Sequence, residues 1–118
     1  MDYDETLIEY VGLPHKLKEH VKAPDGSMTA ETTAVATRCA LGKWLQGDGK
    51  KHGAWPELGA MRDTHAKLHE AAAAALRRSE AGDRAGAEAL LGEKTAFTMA
   101  LVRFLQALLA MKRRATEG

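Results

Sequence analysis

The stretch Pro56-Glu57-Leu58-Gly59-Ala60-Met61-Arg62-Asp63-Thr64-His65-Ala66-Lys67-Leu68-His69-Glu70-Ala71-Ala72-Ala73-Ala74-Ala75-Leu76 decides how the rest of the chain is read. Leu58, Met61, His65, Leu68, Ala72 and Leu76 recur at steps of three and four, the spacing of one face of an α-helix. Pro56 and Glu57 suit a first turn, and the alanine run adds helix propensity with a thin side-chain layer that admits a close neighbour. The spacing predicts a helix over 56–81. His65 and His69 are then one turn apart on the same face, within or beside the buried stripe.

Downstream, Gly82 and Asp83 read as a stop and a new N-cap, followed by a short helix over 84–91 and, past Gly92, a long one over about 93–113. Phe97, Leu101, Phe104, Leu108 and Met111 alternate by four and three, the pattern of a bundle seam. Val102, Leu105 and Leu109 widen that surface, which is expected to serve either the chain's own core or a second copy of the protein. Upstream, a first helical segment is expected over 2–22, with Leu7, Val11, Leu13, Leu17 and Val21 as its apolar stripe. Pro14 either kinks it or marks a fresh helix start. After the loop 23–27, Thr29 can cap a second helix running to about Gln46, on which Val35, Cys39 and Gly42 share a face. The turn 47–49 and a polar loop containing His52 complete the chain. The fold class expected is all-α: an antiparallel four-helix bundle, with a short additional helix before the last long helix, in a single domain spanning residues 1–118.

Composition narrows the function. The 118 residues carry 17 basic against 16 acidic side chains, so no net field draws the chain to nucleic acid or to anionic lipid. Lys112, Arg113 and Arg114 form the one basic cluster, read as a solvated helix end. No apolar run reaches membrane-spanning length. A single cysteine rules out a disulfide within the chain and suits a reducing, cytoplasmic compartment.

That cysteine stands in Cys39-Ala40-Leu41-Gly42-Lys43-Trp44. With His15, His65 and His69 it makes one thiolate and three imidazoles, a complete tetrahedral set for zinc with no position left for water. A site closed in this way favours a structural or sensory role over hydrolysis. Gly42 leaves space one turn beyond the sulfur, and Trp44 is expected to pack behind the site and hold the segment carrying Cys39. His20 misses the pattern and stands as a substitute ligand should Pro14 turn His15 away. Asp63, Glu70 and Glu19 are candidates, by proximity in sequence, to orient the imidazoles.

As a pattern the chain reads His15-x-Leu17, 21 residues, Cys39-x-Leu41-Gly42-x-Trp44, 20 residues, His65-x-x-x-His69. This resembles the chemoreceptor zinc-binding (CZB) domain family from about Asp4 to Met111, with Leu17 where many members have an aromatic. The resemblance implies a four-helix bundle, often dimeric, with one zinc on His15, Cys39, His65 and His69. It also implies regulation of bacterial signalling, in chemotaxis or through cyclic di-GMP, by zinc or by oxidants such as hypochlorous acid acting at the Cys39 thiolate. A homodimer and a signalling partner or attached output domain are the partners expected. Two other classes remain as alternatives. One is a structural zinc module for dimerisation. The other is an oxygen-chemistry bundle enzyme, against which stands the absence of any Glu-x-x-His pair.

Overall fold

The computed structural model describes residues 2–24, 26, 28–34, 39–47, 49, 51, 53 and 55–117, the last without its side chain. Within them the chain is all-helical: α1 Tyr3–Val11, α2 Leu13–Lys22, α3 Ala30–Thr33, α4 Ala40–Gln46, α5 Pro56–Glu80, α6 Arg84–Leu90 and α7 Ala96–Glu117. The expected positions Val35 and His52 lie outside the described residues.

Helix α5 is the axis on which the others are laid. It starts at Pro56, where a missing N–H costs nothing. It ends where Gly82 takes a left-handed φ of 82° and the Asp83 N–H turns back to the Arg78 carbonyl at 2.8 Å. The Asp83 carboxylate then accepts from the Gly86 N–H at 2.9 Å and so opens α6. Every position of the expected α5 stripe is buried, His65 included. Facing it, α7 buries Phe97, Leu101, Phe104, Leu108 and Met111, the expected seam. Its start is set by Thr95, whose hydroxyl accepts from the Thr98 N–H. Helix α5 packs against α7 along most of its length, and also against α6 and α3, while α1 lies on α7.

Two segments depart from the sequence reading. The first helix is broken at Gly12 into α1 and α2, with Pro14 the second residue of α2, so Pro14 marks a fresh start. The break resets the helical phase. In α1 the inward residues are Tyr3, Leu7 and Tyr10, and Val11 is exposed, against expectation. In α2 Leu17 and Val21 are buried as expected.

The second helix is likewise not continuous from Thr29 to Gln46. Thr29 caps α3, its hydroxyl accepting from the Thr32 N–H, but α3 stops at Thr33. Helix α4 begins only after Cys39, whose backbone is extended (φ −76°, ψ 165°). Ser, Thr, Asp or Asn usually fills such a cap position. In this chain a cysteine does, and helical spacing cannot reveal it.

Two ion pairs tie the C-terminal part of α7 to the rest. Arg114 makes a two-pronged contact with Glu57, both bonds 2.8 Å, and lies over the Trp55 ring at 5.6 Å. Lys112 reaches Asp4 at 2.6 Å. Two of the three residues read as a solvated basic cluster are therefore engaged within the chain. No described helix is long and apolar enough to cross a membrane.

Candidate metal centre

Three side chains from two helices meet at one point. The Cys39 sulfur lies 3.2 Å from His65 Nε2, and His65 Nε2 lies 3.0 Å from His69 Nε2. All three donor atoms fall within 4.8 Å of one another, and among the described residues they form the one group of this kind. The two histidines arrive together because residues four apart in α5 stack on one face. Their rings meet edge to face, with centroids 4.4 Å apart. Cys39 arrives from the start of α4, where its sulfur accepts a hydrogen bond from the Gly42 N–H at 3.3 Å. Gly42 thus serves the site as a backbone donor to the sulfur.

The surroundings fix which atoms are available. His69 Nδ1 is 2.8 Å from the Thr33 carbonyl oxygen. A carbonyl only accepts, so Nδ1 carries a proton whatever the charge of the ring, and Nε2 is the atom turned to the site. This is the arrangement that orients an imidazole for a metal. The acceptor is a backbone group at the end of α3 and not Asp63, Glu70 or Glu19, the carboxylates suggested by sequence proximity. A backbone carbonyl leaves no mark in a side-chain pattern.

Tyr10 is the further participant that the sequence reading passed over. Its phenol oxygen lies 3.2 Å from His65 Nε2 and 3.8 Å from the Cys39 sulfur. Its ring packs on Phe104 with centroids 4.6 Å apart. The steps of four and three from Tyr3 through Leu7 to Tyr10 carried the signal, once Gly12 is taken as a break.

The electrostatics are those of a metal-ready thiolate. Burial opposes ionisation of Cys39, but hydrogen bonds from His65, His69 and the Gly42 N–H outweigh it and hold the thiol down to about 5. Burial also opposes charge on His69, yet its contacts with Cys39 and the Thr33 carbonyl raise its value. Tyr10 is pushed far up, first by burial and then by the neighbouring sulfur, so its phenol keeps its proton.

His65 Nε2 thus has three other heteroatoms at 3.0–3.2 Å. One N–H can serve only one of them well, so the three potential ligand atoms crowd a single point. A cation at their centre resolves this. A tetrahedral zinc with Zn–N of about 2.05 Å and Zn–S of about 2.3 Å needs donors about 3.3–3.6 Å apart, so the two spacings at His65, 3.0 and 3.2 Å, need only a small expansion. The donor set, one soft sulfur and two imidazoles, fits zinc.

His15 is not among the converging atoms. It lies exposed on α2, two residues from fully buried Leu17 and so on the far side of that helix. His20 is partly buried on α2 and is also outside the group. Leu17 lines a cavity of about 310 Å³ that opens onto Cys39, His69 and Tyr10. Trp44 is partly buried against the core. Gly49 approaches its indole so closely that a Cβ there would stand 2.9 Å from the ring.

No curated protein and no solved structure matches the chain significantly. Its match is to the family model described as the chemoreceptor zinc-binding domain, over residues 14–76, a span that holds Cys39, His65, His69 and most of the helix carrying both imidazoles. With more than half of its length matched, the chain belongs to the chemoreceptor zinc-binding domain family.

Proposed function

We propose that the protein is a zinc-binding regulatory domain that reports zinc or oxidant through Cys39, and that it modulates a signalling partner of the chemotaxis or cyclic di-GMP kind. The observation that carries this reading is the convergence of Cys39 Sγ with His65 Nε2 and His69 Nε2. When bound, zinc would supply a Lewis-acidic centre that holds the start of α4 to the middle turns of α5. Cys39 would give it a thiolate, and each histidine an Nε2 lone pair.

Two signals can pass through these residues. Filling the site fixes α3, α4 and α5 relative to one another, because the Thr33 carbonyl is tied to His69. Emptying it loosens them. Alternatively, a two-electron oxidant reaches Cys39. With hypochlorous acid the sulfur lone pair forms an S–O bond while the O–Cl bond breaks, giving a sulfenic acid and chloride. The site then loses its single sulfur donor.

His15 is the fourth donor that the family pattern assigns. Reaching the site would turn α2 and bring Leu17 and Val21 out of the core, at a cost of about 1.5–3 kcal/mol for each. A His15→Ala variant decides the point: an affinity loss like that of His69→Ala would put His15 on the metal, and an unchanged affinity would leave the fourth position to another donor.

In its assembly, the whole chain is taken as one antiparallel four-helix bundle domain that acts in the cytoplasm as a homodimer. Exposure of Val102 and Leu109 on α7 favours pairing along that helix. A structural zinc used only for dimerisation is the second reading, and it differs in that the metal would neither exchange nor leave on oxidation. The test is metal content per chain before and after limiting hypochlorous acid, in the native protein and in Cys39→Ser. About one zinc, lost on oxidation and reduced by the substitution, supports sensing. Zinc that survives oxidation favours the structural role.

A further inference from the structure

Tyr10 sits against the metal centre without belonging to the donor set, and its environment is built to hold it there. Its side chain is buried, 6% exposed, at the end of α1. The ring packs on Phe104 of α7 at a 53° tilt and stands edge to face with the His65 ring at a 76° interplanar angle. This packing points the hydroxyl at two heteroatoms, His65 Nε2 and Cys39 Sγ.

Taking the zinc reading above as its basis, we infer that Tyr10 is a positioning residue that controls the reactivity of the Cys39 sulfur in the loaded site. In that state the Nε2 lone pair of His65 is committed to the metal. Among the described residues, the acceptor that remains within reach of the phenol proton is then the sulfur. A second hydrogen bond reaches the same sulfur from the Gly42 N–H at 3.3 Å. Each such bond withdraws electron density from a thiolate and lowers its attack on electrophiles. Tyr10 and Gly42, from two different helices, together set how strong an oxidant must be to open the site. Because Tyr10 lies in the last turn of α1, a movement of that helix against α7 would change the hydrogen bonding of the sulfur. This couples the N-terminal helix to the chemistry at Cys39.

The experiment compares the native protein with Tyr10→Phe, which keeps the ring on Phe104 and removes only the hydroxyl. Both are loaded with zinc and treated with hydrogen peroxide, with release followed by a metallochromic indicator. Cobalt(II) replaces zinc in parallel samples. We expect one zinc per chain in both proteins and release faster by about threefold to tenfold in Tyr10→Phe. The sulfur-to-cobalt charge-transfer band should move to longer wavelength in the variant. Equal release rates with an unmoved band would overturn the inference while leaving the zinc reading intact. Failure of both proteins to hold zinc would instead remove the zinc reading itself. A hundredfold loss of zinc affinity in Tyr10→Phe would place the oxygen on the metal, which also overturns the positioning role.

Should Tyr10→Phe not fold, a second measurement decides. The chain has two tyrosines, so Tyr3→Phe grown with 3-fluorotyrosine carries its label at position 10 alone. The more acidic phenol should slow release, and its fluorine resonance should move on zinc loading. A resonance indifferent to zinc overturns the inference.

Discussion

His69 gives its Nδ1 proton to the carbonyl oxygen of Thr33 across 2.8 Å, and this joins the middle of α5 to the end of α3. The bond selects the tautomer, turns Nε2 toward Cys39, and supplies an acceptor that no side-chain substitution at Thr33 removes. Replacing His69 by alanine should therefore cost a full ligand. With structural zinc sites worth about 10–16 kcal/mol over four ligands, the expected fall in zinc affinity is about 100- to 1000-fold. Competition against a chelator of known affinity measures it, and a change of less than about tenfold would mean that His69 is not a donor.

The metal-free protein should show its thiolate in its pH dependence. Cys39 falls from 9.0 to about 5 in the folded chain. The stability this adds is complete above about pH 9 and is lost as pH falls through about 5. His69 is raised from 6.5, so its contribution is complete below about pH 6.5 and is lost as pH climbs past the raised value. Alkylation of Cys39 by iodoacetamide, corrected for reagent, should have its midpoint near pH 5, and the melting-temperature advantage of the metal-free native protein over Cys39→Ser should shrink as pH is lowered from about 9 to about 5 and be gone below that. A midpoint near 8–9 would show an ordinary thiol.

Glu80, in the last turn of α5, accepts from the Ala30 N–H at 2.9 Å and so anchors the start of α3. Glu80→Ala should lower stability by about 1 kcal/mol and zinc affinity by up to about tenfold, since α3 carries the Thr33 carbonyl. Denaturant unfolding and chelator competition read the two effects separately. A loss of stability without any loss of affinity would sever α3 from the site.

Leu17 is fully buried where α2 meets the cavity beside Cys39. Leu17→Ala should destabilise the metal-free protein by about 2–5 kcal/mol. Saturating zinc raises the melting temperature of both proteins, because the metal binds the folded chain, and the gap between them should widen with zinc if a loosened α2 weakens the site. Equal destabilisation with and without zinc would separate α2 from the metal centre.

How far the sequence could be read follows from where the information lies. Helices α5 and α6 were legible nearly to the residue, because Pro56, Gly82 and Asp83 punctuate their helical spacing, whereas α7 was legible as a seam but runs Ala96–Glu117 where about 93–113 was expected. Cys39, His65 and His69 were legible as a set because two share a helix face and the third stands in a specific motif. The break before Ala40 was not, since its cap is a cysteine whose sulfur accepts from Gly42, a use that residue propensity does not encode. Tyr10 was missed because a continuous first helix places Val11 inward in its stead. The Thr33 carbonyl was beyond reach, since a backbone acceptor depends on the path of α3 and not on its side chains. His15 shows the reverse case: the motif names it, while the phase of α2 set by buried Leu17 and Val21 leaves it exposed.

The assignment of one zinc to Cys39 and the two α5 histidines is open to X-ray absorption at the zinc edge on protein loaded with one equivalent. The expected spectrum has one sulfur at about 2.3 Å and nitrogen or oxygen donors at about 2.0–2.1 Å with imidazole outer-shell scattering, the sulfur vanishing in Cys39→Ser. A shell of oxygen alone, or a spectrum unchanged by losing Cys39, would contradict it.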